Sequence, residues 1–224
     1  MKQTLRGVAV LGAVVAALAA QANLVSTGGF EVPIASPSTF IQANGGSSVG
    51  AWTVVGNDVL VINNLYNEAP PIVFNALEGV QALDLTGAGN TGLSNGVFQN
   101  IATVAGQQYD VTFSVGRAQG QAGDDRYQTE AVARLLIDGS LAMTATNNDV
   151  VAAGTVGWKQ FTTSFIATGS TTRIEFLNGV PTEGNPGWNN YVGLDDVQVV
   201  PEPMTMTALG LGLAALARRR ARKA

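Results

Sequence analysis

The 224-residue chain contains no cysteine and no histidine. Without cysteine no disulfide can staple the fold, and thiolate nucleophiles and thiolate metal sites are excluded. Without histidine the serine–histidine triad, the histidine zinc site and the commonest general base are excluded too. Any metal would have to be a hard cation held by oxygen ligands. Basic residues are also scarce between the ends. Lys2, Arg6, Arg218, Arg219, Arg220, Arg222 and Lys223 sit in the terminal segments, leaving Arg117, Arg126, Arg134, Lys159 and Arg173 against fifteen acidic residues from Asn23 to Val200, a net charge of −10. A surface so poor in cations cannot displace the counterions of a nucleic acid, so a nucleic-acid partner is excluded, whereas divalent cations and neutral or polar ligands suit it. No phosphate-cradling glycine motif precedes a helix, and no histidine metal motif is present.

The two ends carry sorting information. Lys2 and Arg6, the apolar run Gly7 to Ala20 and the small-x-small triplet Ala20-Gln21-Ala22 form a secretory signal over residues 1–22, with cleavage expected before Asn23. At the other end Val200-Pro201-Glu202-Pro203 leads into the uncharged stretch Met204 to Ala217, and then Arg218, Arg219 and Arg220 open a basic cluster. This tail resembles the PEP-CTERM sorting signal of Gram-negative bacteria. The resemblance implies recognition by a membrane-embedded exosortase, transient anchoring in the inner membrane, and a mature protein at the cell surface or in the extracellular matrix. Its apolar run spans only about 21 Å as a helix, short of a hydrocarbon core of roughly 30 Å, so a membrane helix over residues 201–224 requires snorkelling arginines or local thinning.

Between the ends lie roughly 180 residues, enough for one domain with a substantial core over residues 23–200. In Gln108 to Gly116, Tyr109, Val111, Phe113 and Val115 alternate with Asp110, Thr112 and Ser114, the period of a half-buried strand. Trp158 to Ala167 repeats the pattern, and Gly169-Ser170 turns the chain into Arg173 to Phe176. Further strands are predicted over Trp52 to Val55, Val59 to Ile62, Gln81 to Leu85, Val97 to Thr103, Ala131 to Ile137 and Val192 to Val200. Pro33 to Gly50 and Gly116 to Gln128 read as surface loops. The fold class is all-β, a β-sandwich.

Asn23-Leu24-Val25, Gly28-Gly29-Phe30-Glu31, Trp52-Thr53-Val54, Gly79 to Leu85 and Gly193-Leu194-Asp195-Asp196-Val197 together resemble the "choice-of-anchor C" proteins. These are similar in turn to galactose-binding-like carbohydrate-binding modules, which implies a β jelly roll. In such modules a structural calcium lies between a Phe-Glu on the first strand and an Asp on the last. Carried over, this implies a calcium held by the carboxylates of Glu31 and Asp195, with backbone carbonyls near Gly29. Strand parity independently puts Asp195 on the face of Val197 and Val199, inside the core, where a bare carboxylate needs a cation or several donors. The alternative is that both carboxylates accept backbone hydrogen bonds and tie the ends of the domain together.

A second candidate is a sugar-binding surface. Trp188 lies in a turn-rich loop, where its ring could stack on a sugar face beside Asn189, Asn190 and Tyr191, or else pack the loop itself. Tyr127 is a further surface candidate, while Trp52 and Trp158 read as core. Glycoside hydrolysis needs two acids across one bond. Asp124-Asp125 and Asp195-Asp196 supply acids only as sequence neighbours, which a strand would point to opposite faces. The reading is therefore an exported, non-catalytic protein that binds glycan or exopolysaccharide. The competing reading is a structural or adhesive matrix protein without a sugar ligand, and a glycoside hydrolase ranks last.

Overall fold

The computed structural model describes residues 22–68, 71–88, 94–121, 126–127, 130–180 and 190–202. Ala22–Glu202 forms one compact unit. The signal segment, the tail beyond Glu202 and the loop residues Asp124, Asp125, Trp188 and Asn189 lie outside the described residues.

In chain order the strands are β1 Phe40–Asn44, β2 Ser48–Val49, β3 Trp52–Val55, β4 Asp58–Asn63, β5 Asn67–Glu68, β6 Ile72–Val73, β7 Gln81–Asp84, β8 Gly96–Ala102, β9 Gln108–Gln119, β10 Ala131–Ile137, β11 Ser140–Asn147, β12 Thr155–Ile166, β13 Thr171–Asn178 and β14 Gly193–Pro201. They build two six-stranded antiparallel sheets, ordered β1-β4-β7-β14-β9-β12 and β11-β10-β13-β8-β3-β2, with β5 and β6 as a separate two-stranded sheet. From β7 to β10, and again from β11 to β14, the chain crosses between the large sheets at every connection, as in a jelly roll. The expected all-β sandwich is the observed fold.

Alternation explains the interior. The odd residues of β9, Tyr109, Val111, Phe113 and Val115, are buried against Ile174 and Phe176 of the opposite sheet and against Trp52. Trp52 is fully buried, with Phe30 and Phe176 rings 5.6 and 6.0 Å away, and its Nε1 donates to the Thr27 carbonyl. Trp158 departs from its core expectation. It is only half-buried and lies on the outer face of the first sheet, over Gly116.

Pro33 to Gly50 is not one loop, because it contains β1 and β2, and β9 runs on to Gln119. These strands lack an apolar alternation: β1 reads Phe-Ile-Gln-Ala-Asn and its ladder partner β4 supplies the hydrophobic residues. The last strand also extends past the expected boundary, since Pro201 still pairs with Tyr109 and the Glu202 N–H donates to the Gln108 carbonyl. The N-terminal segment lies alongside it, where Leu24 N–H donates to the Val199 carbonyl and Val197 N–H to that of Gly28.

Candidate functional site

Two places on the first sheet gather polar chemistry. The first joins the ends of the domain. Asp195 Oδ2 accepts the N–H groups of Leu77 and Glu78, each at 3.0 Å, and its Oδ1 accepts that of Asp196 at 2.8 Å. Glu31 Oε1 accepts Val80 N–H at 3.0 Å and Gln81 N–H at 3.2 Å. The two carboxylates therefore grip opposite ends of the 77–81 turn, and the geometry on display is that of backbone hydrogen bonding. Gly29 stands beside Asp195 and Glu78: a Cβ there would lie 3.0 Å from Glu78 Oε2 and 3.9 Å from Asp195 Oδ1.

Asp195 is fully buried, but not on the face that parity assigns it. In β14, Leu194 pairs with Val115 and Asp195 with Ser114, whereas Val199 pairs with Val111. Paired residues share a face, and Ser114 and Val111 are three apart on a regular strand, so Asp195 and Val199 point to opposite faces. The bulge between Asp195 and Gln198, with Asp196 at φ 50°, makes the switch. Asp195 is thus buried outside the sandwich core, beneath the 77–81 turn. Burial pushes its carboxyl up to about 7, against the pull of its three N–H donors, with the charge of Glu78 adding to the rise. Next to it the Ser114 hydroxyl is buried without a hydrogen-bond partner among the described residues.

The second place is a cavity of about 150 Å³ on the same outer face. The ladder registers place Gln42, Leu60, Asp84, Gly193, Gly116 and Trp158 opposite one another in a single row across the six strands. Leu60, Ile62 and Asp84 line the cavity from this sheet. Its walls are rings: Phe40 meets Tyr66 at 5.4 Å, Tyr66 meets Phe74 at 5.7 Å and Phe74 meets Tyr127 at 5.7 Å, while Tyr191 packs on Phe74 at 5.1 Å without lining the cavity. The two glycines of the row make room for Tyr191 and Trp158 beside the cavity. A Cβ on Gly193 would fall 2.7 Å from the Tyr191 hydroxyl and 2.8 Å from the Trp158 ring, and one on Gly116 would fall 2.9 Å from Trp158.

Polar groups enter the cavity at three points: Asp84, Glu68 and Asn190. Asp84 is 5% exposed, and its Oδ1 alone accepts the Thr86 N–H, the Thr86 hydroxyl and the Val192 N–H. Burial pushes its carboxyl up to about 7 despite those donors, and the nearby charge of Asp58 contributes to the rise. Glu68 accepts the Tyr127 hydroxyl and an Arg126 guanidinium N–H at 3.2 Å, which fastens the loop carrying Tyr127 to β5. Burial raises the Tyr191 phenol well above its usual range, with the charges of Asp84 and Asp195 adding to the effect.

Of the residues singled out from sequence, Tyr127 lines this cavity and Tyr191 packs against its wall through Phe74. Tyr127 is not a surface aromatic: it is 7% exposed, with φ 55°. Glu31, Asp195 and Gly29 meet at the junction of the ends. Trp188 and Asn189 lie outside the described residues. Sequence reasoning missed Phe40, Tyr66, Glu68, Phe74 and Asp84. Asp84 left a signal, a carboxylate between Leu83 and Leu85, both fully buried, which places it on the opposite face of the strand.

A family model described as "Protein of unknown function (DUF642)" matches residues 23–193, and the PEP-CTERM protein-sorting motif matches residues 199–223. No curated protein matches the chain. A crystal structure of a cyclase from Fischerella sp. TAU aligns with a TM-score of 0.55 at 18% identity, covering 80% of this chain and 96% of that one. A second, of a cyclase from the same organism in complex with 4-(1H-indol-3-yl)butan-2-one, aligns at 0.54 and 17% identity, over 80% and 96%. The CBM22-1 xylan-binding domain of Xyn10C from Paenibacillus barcinonensis aligns at 0.40 and 15% identity, over 75% and 97%. The cyclase likenesses show the shared sandwich fold and nothing about activity.

Proposed function

The chain belongs to the DUF642 family and carries a PEP-CTERM sorting motif, and from that premise we propose that its sandwich is a non-catalytic glycan-binding domain delivered to the cell surface or extracellular matrix. The motif makes it an exported, exosortase-processed protein with a transient membrane anchor. The ligand proposed is a unit of an extracellular polysaccharide.

The observation that carries this reading is the aromatic cavity. Its volume of about 150 Å³ matches one small ring and not a stretch of chain, so the cavity would take a single sugar unit. Rings bury the apolar face of a sugar, while Asn190, Glu68 and Asp84 offer amide and carboxylate partners to its hydroxyls. The domain Asn23 to Glu202, which keeps the Glu202–Gln108 closure of the last strand, should bind the producing organism's exopolysaccharide. Tyr66→Ala should weaken that binding at least tenfold with melting unchanged within a few degrees, because Tyr66 is only half-buried. Equal binding by the two folded proteins would remove the cavity from the account.

A calcium ion at the junction of the ends is part of the same proposal, as a stabiliser. The donors there are oxygens, as calcium requires: the carboxylates of Glu78 and Asp195 beside Gly29, that of Glu31 at the other end of the 77–81 turn, and the Ser114 hydroxyl, without a hydrogen-bond partner among the described residues, on the same face as Asp195. Among the described residues no three acidic side chains form a metal-holding group, so carbonyls would have to complete the shell. Calcium should raise the melting temperature and chelator should lower it; melting that ignores both would remove the ion.

The structural or adhesive reading has one observation in its favour. Val32, Ile34, Leu65 and Val80 are exposed on neighbouring turns, where Gln81 bonds the Pro33 carbonyl and Asn64 N–H donates to that of Val80. Self-association of the domain without glycan would favour that reading.

A further inference from the structure

We propose that the cavity selects ligands bearing an ammonium group, so that on the glycan reading given above its ligand is an amino sugar with a free amine. Three features point the same way. The walls are a chain of aromatic rings, Phe40, Tyr66, Phe74 and Tyr127, whose faces attract cations by their quadrupoles. Two carboxylates, Glu68 and Asp84, line the same space, and no Lys or Arg lines it among the described residues. Asp84 lines the cavity, and all three of its donors among the described residues sit on Oδ1, so that Oδ2 accepts no hydrogen bond from those residues, although Asp84 is only 5% exposed.

A neutral sugar could satisfy Oδ2 with a hydroxyl. It would bring no charge to Asp84, which has no ion-pair partner among the described residues. Behind the cavity floor stands a third carboxylate, Asp58, whose Oδ2 holds the Ala88 N–H and the Gln42 amide. Gly87, at φ 72°, brings the backbone over it, since a Cβ there would lie 2.5 Å from Asp58 Oδ1. Among the described residues the nearby cation is Arg126, which bonds Glu68 without lining the cavity. The buried acid that faces the rings is therefore Asp84, with Asp58 behind it and Glu68 held by Arg126. An ammonium donates to Oδ2, sits against aromatic faces and brings the charge that desolvated carboxylates lack, whereas a uronic acid adds a further negative charge.

The Asp84→Asn substitution tests the charge and spares the fold. The amide oxygen can keep the three donors now on Oδ1, and only Oδ2 is replaced by a donor. The domain Asn23 to Glu202 would be titrated at neutral pH with glucosamine, glucose, N-acetylglucosamine, glucuronate and choline, followed by NMR or calorimetry. The expected result is that glucosamine and choline bind at least about tenfold tighter than the neutral and anionic sugars, and that Asp84→Asn and Glu68→Gln each abolish most of that preference. Glucose and N-acetylglucosamine binding as well as glucosamine would overturn the charge selection and leave the glycan reading standing. Binding of choline with no sugar bound would uphold the selection and overturn the glycan reading. A folded domain that binds none of the five would overturn both.

Discussion

Asp84 shows how much a single side chain can decide. Its folded carboxyl is raised to about 7, above its ordinary value, so the native state binds a proton that the unfolded state has already lost through the weakly acidic range. Stability from this group is therefore fully present below the unfolded value near 4 and is lost as pH rises through about 7. Asp195 is shifted in the same direction and adds to the same slope. In chelator and without ligand, the domain should melt at a lower temperature at pH 8 than at pH 5. Asp84→Asn should flatten part of that slope, and a slope unchanged by the substitution would show that Asp84 is not carrying the proton. The sequence makes the face of Asp84 readable, because Leu83 and Leu85 claim the core. It does not make the cavity readable. Phe40, Tyr66 and Phe74 come from segments with no periodicity, and their meeting depends on long-range packing.

At the scale of elements, strands are legible to within about three residues: β9 runs on past Gly116 to Gln119, and β12 begins at Thr155 ahead of Trp158. Trp52–Val55 and Ala131–Ile137 appear at their predicted ends. The β5–β6 pair, with two residues per strand, is too short for a period to register, yet it carries Glu68 and leads into Phe74. The bulge in β14 is the deeper lesson. Burial of Asp195 follows from sequence, but the face does not, because the extra residue at Asp195–Gln198 inverts the alternation. The glycines of the outer row are equally silent in sequence and equally consequential. Gly193→Val would push against both Trp158 and Tyr191, and should cost about 1–3 kcal/mol and disturb ligand binding together, read by chemical denaturation and by titration. Wild-type stability in this variant would mean that the two rings are free to move aside.

For the whole molecule, the sandwich joins its own ends: Asn23 and Leu24 bond Val199, and Gly28 bonds Val197. Those contacts bring Gly29, Glu31 and Asp195 together, so the motifs quoted from opposite ends of the chain describe one place in space. Export is legible from the Pro-Glu-Pro and basic end, and the all-β class from alternation. The ligand site is not, since it lies on the outer face of a sheet whose inner face dominates the hydrophobic pattern. The central claim, that this outer-face cavity is where the protein meets a sugar, is tested most directly by NMR. Oligosaccharides from the organism's own exopolysaccharide would be titrated into isotope-labelled Asn23 to Glu202. The account predicts shift changes centred on Tyr66, Phe74, Asp84, Tyr127 and Asn190; changes confined to the opposite sheet, or none in a folded sample, would contradict it.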